Sequence, residues 1–395
     1  MNRHNSRKLH SLVIFRSILS QEPVKRLTAL FDCDETDKND ITDKYCAFAE
    51  SMLSCGGNLT EYLLCLVLED ENIYTKYKVT GEGDAELLEP LLDRELSVLE
   101  ELSQYTGEQL RKFTGDDTLA HWKTSKADFH KIYADRMGEI DKKGFGIYAK
   151  YHMFVLDENG NVVPIKNPDP QKISDLSGYE RERGLIIANT KALLCGKPAK
   201  NVLIYGDAGT GKSSTVKAIG NEFAADGLRI IELKKDQLRL IPHLLDAIST
   251  NPLKFILFID DLSFSSDDDC FGALKATLEG SVSARADNIA IYATSNRRHL
   301  VKESFSDRDG DDVHRNDTIQ ELISLSARFG LKVNFSKPDK NSYFEIVKAL
   351  ADKNNIALEE NQLSVQAEAF ALKNGGRSAR TAKQFVNQLI NDRRN

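Results

Sequence analysis

Apolar residues recur at spacings of three and four through most of the first 145 positions, as in LVIFRSIL (12–19), YLLCLVLED (62–70) and AELLEPLLDRELSVLEEL (85–102). That period predicts amphipathic helices. Turn-forming CGGN at 55–58 and GEGD at 81–84 separate them. The pattern changes at YHMFVLDENGNVVPI (151–165), which alternates and is broken by Asn159-Gly160, residues that tolerate positive φ and favour a hairpin. KNPDP at 166–170 reads as a linker. From Asn201 onward, short β-branched runs alternate with helical segments: NVLIY, LRIIEL (228–233), FILFID (255–260), NIAIYATS (288–295) and LKVNF (331–335). Five buried strands with helical crossovers predict a parallel α/β sheet. The chain turns helical again from about 338, as a small lid. The expected organisation is a mainly helical region 1–150, a hairpin and linker 151–170, an α/β domain 171–337 and a helical lid 338–395.

Composition adds limits. Hydrophobic content of 41% and charged content of 29% describe a globular chain with ample apolar surface to bury. A net charge of -7 gives no global reason to bind nucleic acid or an anionic membrane. The start, MNRHNSRKLHSLVIFRSILS, is interrupted at Arg16 and lacks a small-residue cleavage site, which argues against a secretory signal. No apolar run approaches the roughly 20 residues needed to span a bilayer, so a cytoplasmic location is expected. The six cysteines form no CxxC pair and lie mostly among apolar residues, so they read as buried, reduced thiols.

The chemistry concentrates in GDAGTGKS at 206–213, a GxxxxGK[ST] motif between the strand NVLIY and the helix SSTVKAIGNEFAAD. Gly206, Gly209 and Gly211 let Asp207, Ala208, Thr210 and Ser214 join a curled backbone whose N–H groups face phosphate oxygens at a helix N-terminus. Lys212 is expected to reach the β and γ phosphates of ATP, and the Ser213 hydroxyl to ligate Mg2+. The apolar run FILFI ends in Asp260-Asp261. A carboxylate at a buried strand end is costly unless a metal and its waters compensate it, so Asp260 is assigned to the magnesium shell. Asp261 is assigned to polarising the attacking water, with helix capping as the alternative. Asn296, at the tip of NIAIYATSN, fits a γ-phosphate sensor, with a plain strand-end turn as the alternative. Arg297 and Arg298 read as surface or interface residues, SSDDD at 265–269 as a solvated loop, and 303–318 as a polar loop.

In this order the motifs resemble the AAA+ superfamily of P-loop ATPases and, more closely, a bacterial family of predicted AAA+ ATPases with a domain of unknown function. The resemblance runs from about 150 to 395 and rests on DLSGYERERGLIIANTKALLCGKPAKNVLIYGDAGTGKSS, FILFIDDLSF, LKATLEG, YATSNRRHL, SLSARFGL and GGRSARTAKQF. It implies strand order 5-1-4-3-2 with a helical lid, and ATP binding and hydrolysis. It further implies that Arg328 is an arginine finger for a neighbouring subunit, that Arg380, or alternatively Arg377, is the sensor of the lid, and that Gly178 and Tyr179 wrap the adenine. Many AAA+ proteins carry Glu where this chain has Asp261, and related sequences read SDRFGL where this one reads SARFGL. The favoured reading is an oligomeric ATPase whose helical region recognises a protein partner. A DNA-associated initiator or helicase-loader type of ATPase, drawn from the RFG phrase and the basic tail Arg377, Arg380, Lys383, Arg393, Arg394, and a slow ATP-gated switch are the alternatives.

Overall fold

The computed structural model describes residues 3–34, 36–263, 270–279, 287–296 and 324–392. The readings for 265–269, 297–298, 303–318 and the terminal Arg393 and Arg394 lie outside the described residues. The chain divides into two compact units, Met1–Lys150 and Tyr151–Asn395.

The described part of the first unit is helical, and its helix starts are written locally. Asp37, Asn58, Asn72 and Asp84 each accept hydrogen bonds from first-turn N–H groups of Lys38–Ser54, Leu59–Glu69, Ile73–Thr80 and Ala85–Ser103. A side-chain acceptor at that position satisfies donors the helix itself leaves open. The core gathers Phe15, Phe31, Tyr45, Phe48, Phe129 and Trp122. The Trp122 ring meets Phe48 edge-on at 4.7 Å, and its Nε1 donates to the Tyr105 carbonyl at 2.8 Å. One charge is buried with them. Glu95 is fully enclosed and accepts the backbone N–H groups of Val13, Ile14 and Phe15 at 2.7, 3.0 and 3.1 Å, pinning the turn after the first helix.

The cysteine expectation needs correction. Of the five described side chains all are free thiols, but only Cys33 is buried, while Cys46, Cys55, Cys65 and Cys195 are exposed. Cys46 and Cys65 fall off the buried stripe of their helices, and Cys55 and Cys195 are the residues that end theirs.

The second unit is built on a seven-stranded sheet: β1 Met153–Leu156, β2 Val162–Pro164, β3 Val202–Gly206, β4 Leu228–Leu233, β5 Lys254–Ile259, β6 Ile289–Ser295 and β7 Leu331–Phe335. They lie in the order β2-β1-β4-β5-β6-β3-β7. All neighbours are parallel except the β1–β2 hairpin. The five strands expected from sequence therefore run 5-1-4-3-2, and two more extend the sheet. The hairpin is part of this sheet rather than a connection to it. Met153, Phe154 and Val155 register with Ile230, Ile231 and Glu232, covering the edge of β4 whose unpaired N–H and C=O groups would otherwise stand open. The turn falls at Asn159-Gly160 as expected. Gly160 adopts φ 84°, Asn159 does not join it at positive φ, and the Asp157 carboxylate accepts the N–H groups of Asn159 and Asn161. Helices Lys340–Lys353, Glu360–Lys373 and Ala379–Asp392 form the lid around a small core of its own, including Tyr343, Val347, Ala367 and Phe385.

Candidate functional site

The sheet delivers its chemistry at the carboxyl ends of β3, β5 and β6, which lie side by side. Beyond β3 the chain passes through Gly206 at φ 133°, where a Cβ would stand 2.3 Å from the Phe335 carbonyl oxygen, so only glycine fits. Gly209 and Gly211 take φ of 79° and 92°, and the helix Lys212–Glu222 starts directly after them. Its open N–H groups and partial positive charge face the loop. Lys212 is buried, and its Nζ donates to the carbonyls of Gly206 at 2.9 Å and Asp207 at 2.8 Å and to Asn296 Oδ1 at 2.9 Å. Burial pulls the ammonium below the ordinary lysine range, opposed by the charges of Asp207, Asp261 and Asp260.

The acid pair follows β5. Asp260 Oδ1 accepts the Ser213 hydroxyl at 2.6 Å, the Thr294 hydroxyl at 2.5 Å and the Asp261 N–H at 3.1 Å. Hydroxyl and carboxylate oxygens meeting at one point are the hard donor set that magnesium takes, so these residues fit that ion. Asp261 stands at φ 53°, a left-handed conformation that Asp tolerates better than most residues. Its N–H donates to Thr294 Oγ1 at 2.9 Å, and its carboxylate accepts Asn296 Nδ2 at 2.8 Å. Asn296 thus joins Lys212 to Asp261. Thr294, almost fully buried, braces both acids; the sequence places it in the polar tip of its strand, beside the acid pair, without a role of its own.

A cleft of about 580 Å³ opens above these groups. Ala208, Gly209, Thr210, Gly211, Lys212, Ser213, Ser214, Asp260, Asp261, Asn296 and Arg380 all line it, as do Ile346 and Leu350 from the lid. Arg380 and Arg377 are separated by the structure. Arg377 forks onto Glu368 at 2.6 and 3.0 Å, while Arg380 faces the cleft. Lys383, Arg183, Asp169, Gln171 and Asp175 also line it. The spacing of Lys383, three residues after Arg380 on a helix, was the available signal. Asp169 in the linker and Gln171 just after it carried none.

Gly178 and Tyr179 are not among the lining residues. Tyr179 stacks on Phe335 with ring centroids 5.0 Å apart and donates its hydroxyl to the Ser336 carbonyl at 2.7 Å. Burial pushes its hydroxyl up to about 12, with Asp207 and Glu182 adding, so it remains a donor. The apolar wall of the cleft comes instead from Leu176, Ile346 and Leu350. Gly178 packs behind that wall, since a Cβ there would lie 2.7 Å from Ile346. Arg328 ends a short helix at 324–328, is exposed and does not line the cleft of its own chain.

A phosphate loop between β3 and a helix, an acid pair one strand beyond β6, and a helical lid over a 5-1-4-3-2 sheet define the AAA+ class of P-loop nucleotide-binding folds. The chain belongs to the family described as "Protein of unknown function (DUF815)", whose model matches residues 149–393. Two short stretches are similar to curated relatives. One is 31% identical over 119 residues to the replication factor C large subunit of Thermofilum pendens, covering 28% of each chain. The other is 38% identical over 71 residues to the replication factor C large subunit of Staphylothermus marinus, covering 18% of this chain and 16% of that one. The chain thus spans less than a third of either relative. Among solved structures, the Thermotoga maritima RuvB Holliday junction branch migration motor aligns at TM-score 0.37 and 16% identity, over 56% of this chain and 65% of that one. AMPPCP-bound DnaA from Aquifex aeolicus aligns at TM-score 0.40 and 19% identity, over 56% and 66%. The assignment of class rests on the strand order and the loop rather than on those superpositions.

Proposed function

We propose that the protein binds magnesium-ATP and hydrolyses it as an oligomer, to remodel or assemble a protein partner met by the helical first unit. The observation that carries this is the convergence of Lys212, Ser213, Asp260, Asp261 and Asn296 at one mouth of the cleft, linked by direct hydrogen bonds. The loop N–H groups take the phosphates, and Lys212 exchanges its carbonyl partners for phosphate oxygens. Ser213 and Asp260 would hold magnesium, which when bound neutralises charge on the β and γ phosphates. Asp261 takes the proton side of the attacking water, oriented by Asn296. Arg380 reaches the phosphates from the lid. Exposed Arg328 suits a finger offered to a second copy of the chain, where it would stabilise charge on the transferring phosphoryl group.

A protein partner is favoured over DNA. Two cations of the basic tail, Arg380 and Lys383, face the nucleotide cleft, and Arg377 is committed to Glu368, so the three tail cations among the described residues have other partners than a phosphate backbone. The likeness of short stretches to replication factor C keeps the DNA reading testable by salt-sensitive retention on DNA with ATP. A slow switch has its own support: Asp261 is shorter than Glu and is held by Asn296. An Asp261→Glu variant that turns over faster would mark geometry as the limit.

The test is ATP turnover measured over rising protein concentration. Specific activity should climb as the chain assembles, Arg328→Ala should abolish the climb, and Lys212→Ala should be inactive throughout. Turnover no greater than that of Lys212→Ala at every concentration would refute hydrolysis.

A further inference from the structure

The phosphate loop is attached to the lid at two separated points. Behind β7 the connection Phe335–Ser336–Lys337 leads to Pro338 and into the first lid helix, Lys340–Lys353. The residue before a proline is restricted to extended backbone, so Lys337 enters the lid in a narrow range of directions. Its N–H donates to Asp207 Oδ2 at 2.8 Å. The Asp207 N–H in turn donates to the Phe335 carbonyl at 3.1 Å, and the Asp207 carbonyl accepts Lys212 Nζ at 2.8 Å. One residue therefore touches both the phosphate-seeking lysine and the strap that leads to the lid. The second point is Gly209, whose carbonyl accepts the N–H of Arg380 at 3.0 Å. A Cβ on Gly209 would stand 3.2 Å from both Arg380 Cβ and Ser378 Oγ, so the lid helix rests directly on the loop. Tyr179 steadies the strap from its other side through Phe335 and Ser336.

We propose that Asp207 is a positioning residue that locks the phosphate loop to the strap of the lid, so that the loop's conformation sets where Arg380 and Lys383 stand over the cleft. The proposal deepens the ATP-site reading and rests on it for its consequence in turnover. The geometry supplies the reason: two attachments, one at the entrance of the lid and one on its last helix, fix both the hinge and the angle. Losing the Asp207 carboxylate frees the Lys337 N–H and leaves the strap held at Phe335 and Ser336, short of the lid helix. Lys212 must leave the Asp207 carbonyl to meet a phosphate, and Asp207 then passes that change to Lys337. Asn in place of Asp keeps an acceptor oxygen at the same reach; Ala removes it.

The test is hydrogen exchange on the full chain without nucleotide, read in the segments 336–342 and 376–384, together with kcat and KM for ATP. Asp207→Ala should raise exchange about tenfold in both segments, because a bond to a carboxylate is lost, and should lower kcat more than it raises KM. Asp207→Asn should restore the protection of both segments and most of the turnover. Should Asp207→Ala fail to fold, Asp207→Ser, whose oxygen falls short of Lys337, replaces it. Exchange at 376–384 that stays at the parent's level while 336–342 opens would overturn the coupling. The exchange arm needs no nucleotide, so a chain that binds no ATP yet loosens at 376–384 sinks the ATPase reading and leaves the coupling standing.

Discussion

The two units hold charge in opposite ways. In the helical unit Glu95 is fully buried and serves the fold: three backbone N–H groups bond its oxygens, one on Oε1 and two on Oε2. In the sheet unit Lys212 is almost as buried, yet its partners are two loop carbonyls and an Asn amide, weaker acceptors than the phosphate oxygens that can replace them. A satisfied charge supports a fold; a charge with exchangeable partners beside an open cleft supports chemistry. The same contrast separates Arg377, forked onto Glu368, from Arg380, aimed into the cleft.

The contrast can be broken by substitution. The largest effect is expected at Asp261: Asp261→Ala should cut turnover by about 10²–10⁴-fold, the usual worth of a positioned acid or base, while ATP affinity stays near that of the parent. An equal fall in affinity would show that the residue holds ligand or fold instead. Next, Glu95→Ala strands three N–H groups and should destabilise the first unit by several times the ~1–3 kcal/mol cost of one unsatisfied buried group at most. Chemical denaturation should locate that loss in the first unit, with nucleotide binding unchanged. Trp122→Ala should cost about 3–5 kcal/mol in the same unit, as for other large aromatic truncations. The smallest effect concerns pH. Because burial places Lys212 below the usual lysine range, the free protein loses that proton earlier than an exposed lysine, and the bound phosphates need it protonated. ATP affinity should therefore weaken as pH rises, starting below the ordinary lysine value of about 10.4. Lys212→Arg should remove this dependence together with much of the binding.

Legibility followed the range of the contacts. The phosphate loop was readable because its parts are consecutive: strand, three glycines, lysine, serine and helix fall within 201–222. Asp260 was readable because a carboxylate ending an apolar run calls for compensation. What could not be read depended on distant pairing. Nothing in MFVL announces that it will lie beside LRIIEL, so the hairpin's place in the sheet is not legible in the sequence. Tyr179 lies next to the cleft in sequence, but its ring is claimed by Phe335, more than 150 residues on. Arg377 and Arg380 stand three residues apart at the start of the last lid helix, and the contact of Arg377 with Glu368 is what separates them. The roles of Lys383 and Thr294 were hidden because the first reads as part of a basic tail and the second as part of a polar strand end.

The central claim is that Lys212 and the acid pair form a magnesium-nucleotide site. Isothermal calorimetry of ATP into the full chain, with and without magnesium, tests it most directly. Saturable uptake that tightens with magnesium and weakens more than about 100-fold in Lys212→Ala, as loss of two or more charge-assisted contacts requires, is the result expected. Absence of magnesium-dependent heat in the folded parent, or equal uptake by Lys212→Ala, would contradict the account.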